Sequence, residues 1–274
     1  MIENLIINFL LEISPEVMRR FNGNHDISIK PDDSIVTDSD KHIEGLLKDK
    51  FSKILPDSYF LGEESSDQDE YGKVFDNEYI WAIDPIDGTV NFASGIPFFA
   101  VSVGLLKKGA DGHKPVAGAV LFPALNEMFY SRDNKSYSMQ LDTGLETELQ
   151  KPESESSVVM LTDSFYRYYD LVREVNNAQP RQVGCTVANI AYTAIGRSMG
   201  TMTAAHLWDF AASLAIAKNL GVDMRKYSDG TVKDSFSVDD FIVGNQKSDW
   251  RMKEMYVIST QNNYALMKQV MKEK

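Results

Sequence analysis

The chain has one cysteine, Cys185, among 274 residues, so no intrachain disulfide can form and a reducing compartment is the expected setting. It also has few histidines: only His25, His42, His113 and His206. With no His-x-x-x-His pair and a single thiol, the sequence gives no support to a zinc centre. Basic residues are outnumbered, 28 Lys and Arg against 40 Asp and Glu, for a formal net charge of -12. An acidic surface repels a phosphate backbone, which makes nucleic acid and anionic membranes poor partners. Long apolar runs are missing as well. The stretch Leu5–Leu11 is interrupted by Asn8 and followed by Glu12, too short to span a bilayer. Glu3 stands where a secretory signal would carry bases, so a cytoplasmic protein is expected. The dinucleotide glycine fingerprint is absent.

The sequence does have hydrophobic periodicity, at 43% apolar residues, enough for a sizeable core. Ile2, Leu5, Ile6, Phe9 and Leu10 share one face of a helix over 1–21, ended by Gly23 and Asn24. Short extended runs at 27–29 and 35–36 flank a turn at Pro31-Asp32-Asp33. A helix follows, with Asp38, Ser39 or Asp40 as its cap. Residues 64–78 read as an acidic surface loop and 79–83 as a buried strand. Further strands are expected near 99–106, 116–122 and 128–131. A polar stretch at 150–157 suggests a boundary between residues 1–150, an α+β half, and 151–274, an α/β half. In the second half, strands are expected at 158–161, 202–207 and 255–259, and helices at 165–175, 187–195, 210–220 and 264–271. The overall pattern is α/β.

Chemistry concentrates in Trp81-Ala82-Ile83-Asp84-Pro85-Ile86-Asp87-Gly88-Thr89-Val90-Asn91-Phe92. Two carboxylates leave the end of a buried strand around a stiff proline turn, and can point at one hard cation that wants oxygen donors. Gly88 permits close backbone approach, and a helix starting at Thr89 would offer free N–H groups to an anion. Metal and phosphate sites are then neighbours. Taken alone, an Asp-Gly-Thr is an ordinary helix-capping turn. Leu61-Gly62-Glu63-Glu64-Ser65 and His206-Leu207-Trp208-Asp209-Phe210 say little by themselves, a solvated acid and a helix cap respectively.

Together the three segments resemble the inositol monophosphatase family: Gly-Glu-Glu, then Asp-Pro-Ile-Asp-Gly-Thr with Asn-Phe, then Trp-Asp, in order. Val36-Thr37-Asp38-Ser39-Asp40 matches a further family segment, and the similarity runs from the first helix through at least Gly221. The resemblance implies a layered αβαβα sandwich of the inositol monophosphatase and fructose-1,6-bisphosphatase type. It also implies a lithium-sensitive, Mg²⁺-dependent phosphatase with two to three ions per site, and commonly a homodimer. Position by position, Glu63, Asp84, the Ile86 carbonyl, Asp87 and Asp209 would be metal ligands. Asp40, Glu63 and Thr89 would serve the attacking water. Asp87, Gly88, Thr89, Gly184, Cys185, Thr186 and Asp209 would contact the substrate. Lys30 falls beside the expected site, or is a solvated strand residue.

One departure bears on substrate. The family places an acid before Trp-Asp to hold sugar hydroxyls, and Ser198–Ala205 contains none. Inositol phosphate is then one candidate beside fructose bisphosphate, histidinol phosphate and nucleotide phosphates, all small phosphorylated metabolites. Cys185 reads as a buried small hydrophobe, not a nucleophile. Three rival readings remain. An aspartyl-phosphate phosphatase needs Asp-x-Asp, and Pro85 occupies the nucleophile position. A calcineurin-like site is hinted at by Gly23-Asn24-His25-Asp26, but no Asp-x-His precedes it, and His25 reads as a surface residue at a helix end. A non-catalytic cation-binding protein of the same fold is the third.

Overall fold

A computed structural model describes residues 1–30, 34–66, 71–153, 156–163, 165–244 and 249–274; the turn expected at Pro31-Asp32-Asp33 lies outside them. In chain order the elements begin with α1 (Ile2–Phe21), β1 (Ile27–Ile29), β2 (Ile35–Thr37), α2 (Asp38–Ile54) and β3 (Ser58–Gly62). Then come α3 (Tyr71–Val74), β4 (Tyr79–Asp87), α4 (Thr89–Ala93), β5 (Ala100–Gly109) and β6 (Gly112–Phe122). Next are β7 (Glu127–Arg132), β8 (Lys135–Gln140), β9 (Glu146–Glu148), β10 (Val158–Met160), α5 (Phe165–Tyr168) and β11 (Tyr169–Leu171). The remainder is β12 (Gln179–Arg181), α6 (Thr186–Ala194), β13 (Gly200–Thr203), α7 (Leu207–Ala217) and β14 (Val222–Lys226). The chain closes with β15 (Tyr256–Thr260), α8 (Gln261–Val270) and β16 (Met271–Glu273).

The larger sheet has seven strands in the order β3-β4-β5-β6-β7-β8-β9, with β3 and β4 parallel and the rest antiparallel. Strand β4 is apolar on both faces because both are covered. Trp81 stacks on Phe51 of α2, ring centroids 4.5 Å apart, in a core shared with α1. On the other face, Ile80 and Ala82 join Phe210 and Ala211 of α7. The second sheet, β12-β10-β13-β15-β14, packs on the far side of α6 and α7, where Ile258 meets Ile190 and Leu207. Its outer face is closed by Met267 and Val270 of α8. Helix and sheet therefore alternate in five layers, the αβαβα sandwich expected.

Several local readings change. The Asp84–Asp87 segment is not a turn after the strand but part of β4, interrupted by a bulge: Asp84 pairs with Ser102 and Asp87 with Ala100. Pro85 is tolerated there because a bulge needs no ladder donor from it. Thr37, not residues 38–40, caps α2, and Asp40 completes a capping box from the third helical position. The helix expected over 165–175 stops at Tyr168 and gives way to β11, which pairs with β16. The expected strand at 202–207 ends at Thr203, and α7 starts at Leu207 rather than 210. His25 is half-buried rather than exposed, its ring 4.8 Å from that of Phe92. No described helix is long and apolar enough to cross a membrane.

Candidate active site

The site lies where β4, α4, α6 and α7 converge. In a regular strand, side chains three apart point to opposite faces. The bulge adds one residue between Asp84 and Asp87, reverses that alternation, and turns both carboxylates to one side. Asp209, in the first turn of α7, arrives from the second half of the chain. Carboxylate oxygens of Asp84, Asp87 and Asp209 lie within 4.8 Å of one another. Asp84 is 1% exposed, and its Oδ1 accepts the Ile86 N–H at 3.0 Å. Asp209 Oδ2 accepts the His206 N–H at 3.0 Å, so Asp209 does not itself cap α7 but completes a capping box from the third helical position.

Asp87 is tied to the N-terminus of α6. Its Oδ2 accepts the Val187 N–H at 2.7 Å and the Cys185 thiol at 2.6 Å. This corrects the reading of Cys185 as merely a small hydrophobe: it is buried, but it is a hydrogen-bond donor that orients a carboxylate. Burial and the Asp87 charge push the Cys185 thiol well above its usual range, which suppresses thiolate chemistry. A thiol-specific disulfide reagent should therefore leave Cys185 unmodified in the native protein and react fully once it is unfolded, read by the released chromophore. Rapid labelling of the folded chain would contradict the assignment.

Gly88 opens α4 with φ +84, and an added Cβ would meet the Phe98 carbonyl at 2.9 Å. Thr89 Oγ1 lies 3.1 Å from both Asp40 Oδ1 and the Ile86 carbonyl oxygen, with one proton to share between them. Asp40 is buried, and its second oxygen is held by the Thr37 N–H at 2.8 Å and the Thr37 hydroxyl. Glu63 stands at the edge of the triad, its Oε1 2.6 Å from Lys30 Nζ. Lys30 also pairs with Glu64 at 2.5 Å, so it is half-buried and ion-paired rather than a solvated strand residue. A cleft of about 310 Å³ opens over these groups, lined by Glu63, Gly88, Thr89, Asp163 and Gly184. Thr186 begins α6 at the same end.

Sequence reasoning missed three supporting residues. Glu44 is buried in α2 and accepts the Glu64 N–H at 2.8 Å, pinning the Gly-Glu-Glu turn. Its signal was a lone acid beside the apolar positions Ile43 and Leu47. Asn91 donates to the carbonyls of Phe98 at 2.7 Å and Val183 at 2.6 Å, joining α4 to the loop before α6. Asp163 gave no signal of its own.

The acids repel one another. Burial pushes Asp84 well above the carboxylate range, and the charges of Glu63, Asp87 and Asp209 add to it. Burial, then Asp209, raises Asp87 to about 7 despite its two hydrogen bonds. Burial and Glu63 raise Glu64 to about 8. Unfolded carboxyls ionise near about 4. Between that pH and the raised values the folded chain holds more protons than the unfolded one, so stability falls as pH rises. In chelator, the melting temperature should drop steadily from pH 5 to pH 8, and added Mg²⁺ should restore it at pH 8. A flat or rising profile would contradict the crowding.

Five alternating layers carrying a cluster of three converging carboxylates define a class of α/β sandwich hydrolases. The model of the inositol monophosphatase family matches residues 3–265, and the chain belongs to that metal-dependent family. It is accordingly a phosphoric monoester hydrolase, which sets aside the non-catalytic reading. An inositol-1-monophosphatase of Rhizobium meliloti (strain 1021) is 28% identical over 228 residues, 80% of this chain and 82% of its own. A fructose-1,6-bisphosphatase/inositol-1-monophosphatase of Thermotoga maritima is 30% identical over 216 residues, 77% of this chain and 78% of its own. A solved IMPase/NADP phosphatase complexed with Mg²⁺ and phosphate shares the fold at TM-score 0.73 and 19% identity, covering 97% of this chain and 94% of that one.

Proposed function

We propose that this chain hydrolyses a small phosphate monoester with Mg²⁺ held by Glu63, Asp84, the Ile86 carbonyl, Asp87 and Asp209. The observation that carries this reading is the buried meeting of Asp84, Asp87 and Asp209 within 4.8 Å. Anionic side chains at that density are tolerable only when cations compensate them, and the donors are all hard oxygens, as Mg²⁺ prefers. Two to three ions per site are part of the proposal. When bound, they neutralise the phosphate oxygens and lower the pKa of a coordinated water.

The remaining steps belong to the chain's own groups. The Gly88 and Thr89 N–H groups receive the phosphate, and the five-residue α4 aims them at the cleft. Asp40 Oδ1, through Thr89 Oγ1, orients the attacking water and takes its proton. Glu63, steadied by Lys30, assists from the edge. Gly184, Cys185 and Thr186, with Asp87 and Asp209, border the alcohol portion. Phosphoryl transfer mainly needs positioning and charge neutralisation, so no covalent phosphoenzyme is invoked.

Residues 1–150 and 151–274 are read as two halves sharing this cleft, which the separate sheets favour. A homodimer and a cytoplasmic setting, both implied by family or composition, belong to the same proposal. The name of the Thermotoga relative favours keeping fructose 1,6-bisphosphate as a second candidate substrate. The test is phosphate release from inositol 1-phosphate, fructose 1,6-bisphosphate, histidinol phosphate and a nucleoside monophosphate, with Mg²⁺ and with chelator. Lithium sensitivity is read in the same assay. Release that ignores the chelator, or none from any substrate, overturns the reading.

A further inference from the structure

The resemblance to the inositol monophosphatase family implies an acid before Trp208-Asp209 to hold the alcohol portion of the substrate, and none stands there. Strand β13 and the residues after it offer threonine, methionine and alanine up to His206. A carboxylate nevertheless reaches the cleft over Gly88 and Thr89 from elsewhere. Asp163 follows the parallel strand β10 in the loop before α5, and lines the cleft together with Gly88, Thr89 and Gly184. It is exposed, and makes no hydrogen bond or ion pair within the described residues. It also stands apart from the cluster formed by Asp84, Asp87 and Asp209.

An unpaired carboxylate at the mouth of a small cleft has open acceptor sites on both oxygens. Two ligand features respond to it in opposite directions. Hydroxyl groups donate to it, and a charge-assisted hydrogen bond of this kind is stronger than a neutral one. A second phosphate is repelled, since Asp163 has no ion pair among the described residues to offset its charge. The cleft volume of about 310 Å³ sits at the small end of ligand pockets and suits one compact ring or short chain.

We infer that Asp163 is a specificity-determining residue that accepts hydrogen bonds from the hydroxyls of a neutral polyol or sugar monophosphate and disfavours a substrate with a second phosphate. The inference rests on the proposed Mg²⁺-dependent hydrolysis at this cleft. It replaces an acceptor missing from β13 with one delivered by a different loop.

The experiment compares wild type with Asp163→Asn, Asp163→Ala and Asp163→Glu at saturating Mg²⁺. The substrates are inositol 1-phosphate, fructose 1,6-bisphosphate, histidinol phosphate and p-nitrophenyl phosphate, whose leaving group has no hydroxyl to donate. The readout is kcat/KM for each, divided by that for p-nitrophenyl phosphate. For inositol 1-phosphate the ratio should fall about tenfold in Asp163→Ala, through KM rather than kcat, less in Asp163→Asn, and least in Asp163→Glu. For fructose 1,6-bisphosphate it should rise in both neutral variants. Ratios that stay within twofold of wild type overturn the inference, as does a larger loss for histidinol phosphate, whose ammonium would then be the partner. A raised Mg²⁺ requirement in Asp163→Asn also overturns it, by making the residue a metal ligand. If wild type releases no phosphate from any of the four, the proposed function falls and takes the inference with it.

Discussion

Asp84→Asn should lower phosphate release on the order of 10³-fold at saturating Mg²⁺, because it removes a charge at the centre of the proposed cation cluster. Asparagine keeps the size of the side chain and can still accept the Ile86 N–H, so the bulge in β4 should persist. The fold should not suffer. Asp84 is fully buried beside Glu63, Asp87 and Asp209, and each of those charges opposes its ionisation. Neutralising it relieves the repulsion, so the variant should melt at or above the wild-type temperature in chelator. Loss of activity with gain of metal-free stability is the signature of a functional acid held at a structural cost. Activity within tenfold of wild type would end the assignment of Asp84, and a lower melting temperature in chelator would end the account of its environment.

The second large effect concerns stability, and through it the site. Helix α7 carries Asp209 and crosses the larger sheet at Gly104 and Gly118. A Cβ built on Gly118 would lie 2.5 Å from the Ala212 carbonyl oxygen and 2.6 Å from its Cα. Those are backbone atoms of a buried helix and cannot rotate away. Gly118→Ala should therefore cost about 3 kcal/mol, at the upper end for overpacking, and push α7 off the sheet. Asp209 moves with α7, so activity should fall along with the denaturation midpoint. The matched control is Gly45→Ala in α2, where nothing lies within 4 Å of the added methyl. Helix propensity alone should make that variant more stable by about 0.8 kcal/mol. Urea denaturation of both variants checks the pair; equal midpoints would mean that close backbone approach is not what the glycine at 118 provides.

Fold class was readable because burial on two faces leaves a plain mark on sequence. The apolar stretch at 79–83 could only be an interior strand, and the periodicity of 1–21 could only be one face of a helix. Weakly patterned segments were not readable. Residues 169–171 continue a helical-looking run, yet they pair with 271–273, a hundred residues away, and the ladder wins over local preference. Strand β8 escaped notice because it has no regular apolar alternation: Ser136 is buried against the Ile216 carbonyl rather than by hydrophobicity.

The site divides in the same way. The meeting of Asp84, Asp87 and Asp209 was legible because their flanking residues form recognisable blocks. The roles of Glu44 and Cys185 were hidden, since each depends on a partner 20 or more positions distant.

The sequence by itself determined the alternating elements and the supply of acids, because these follow from composition and short-range pattern. Only the tertiary structure decided which acids meet. One extra residue in β4 turns Asp84 and Asp87 to the same side, and two glycines let α7 settle close enough to bring Asp209 to them. Both are matters of spacing between backbones, and the chemical nature of the side chains does not encode such distances.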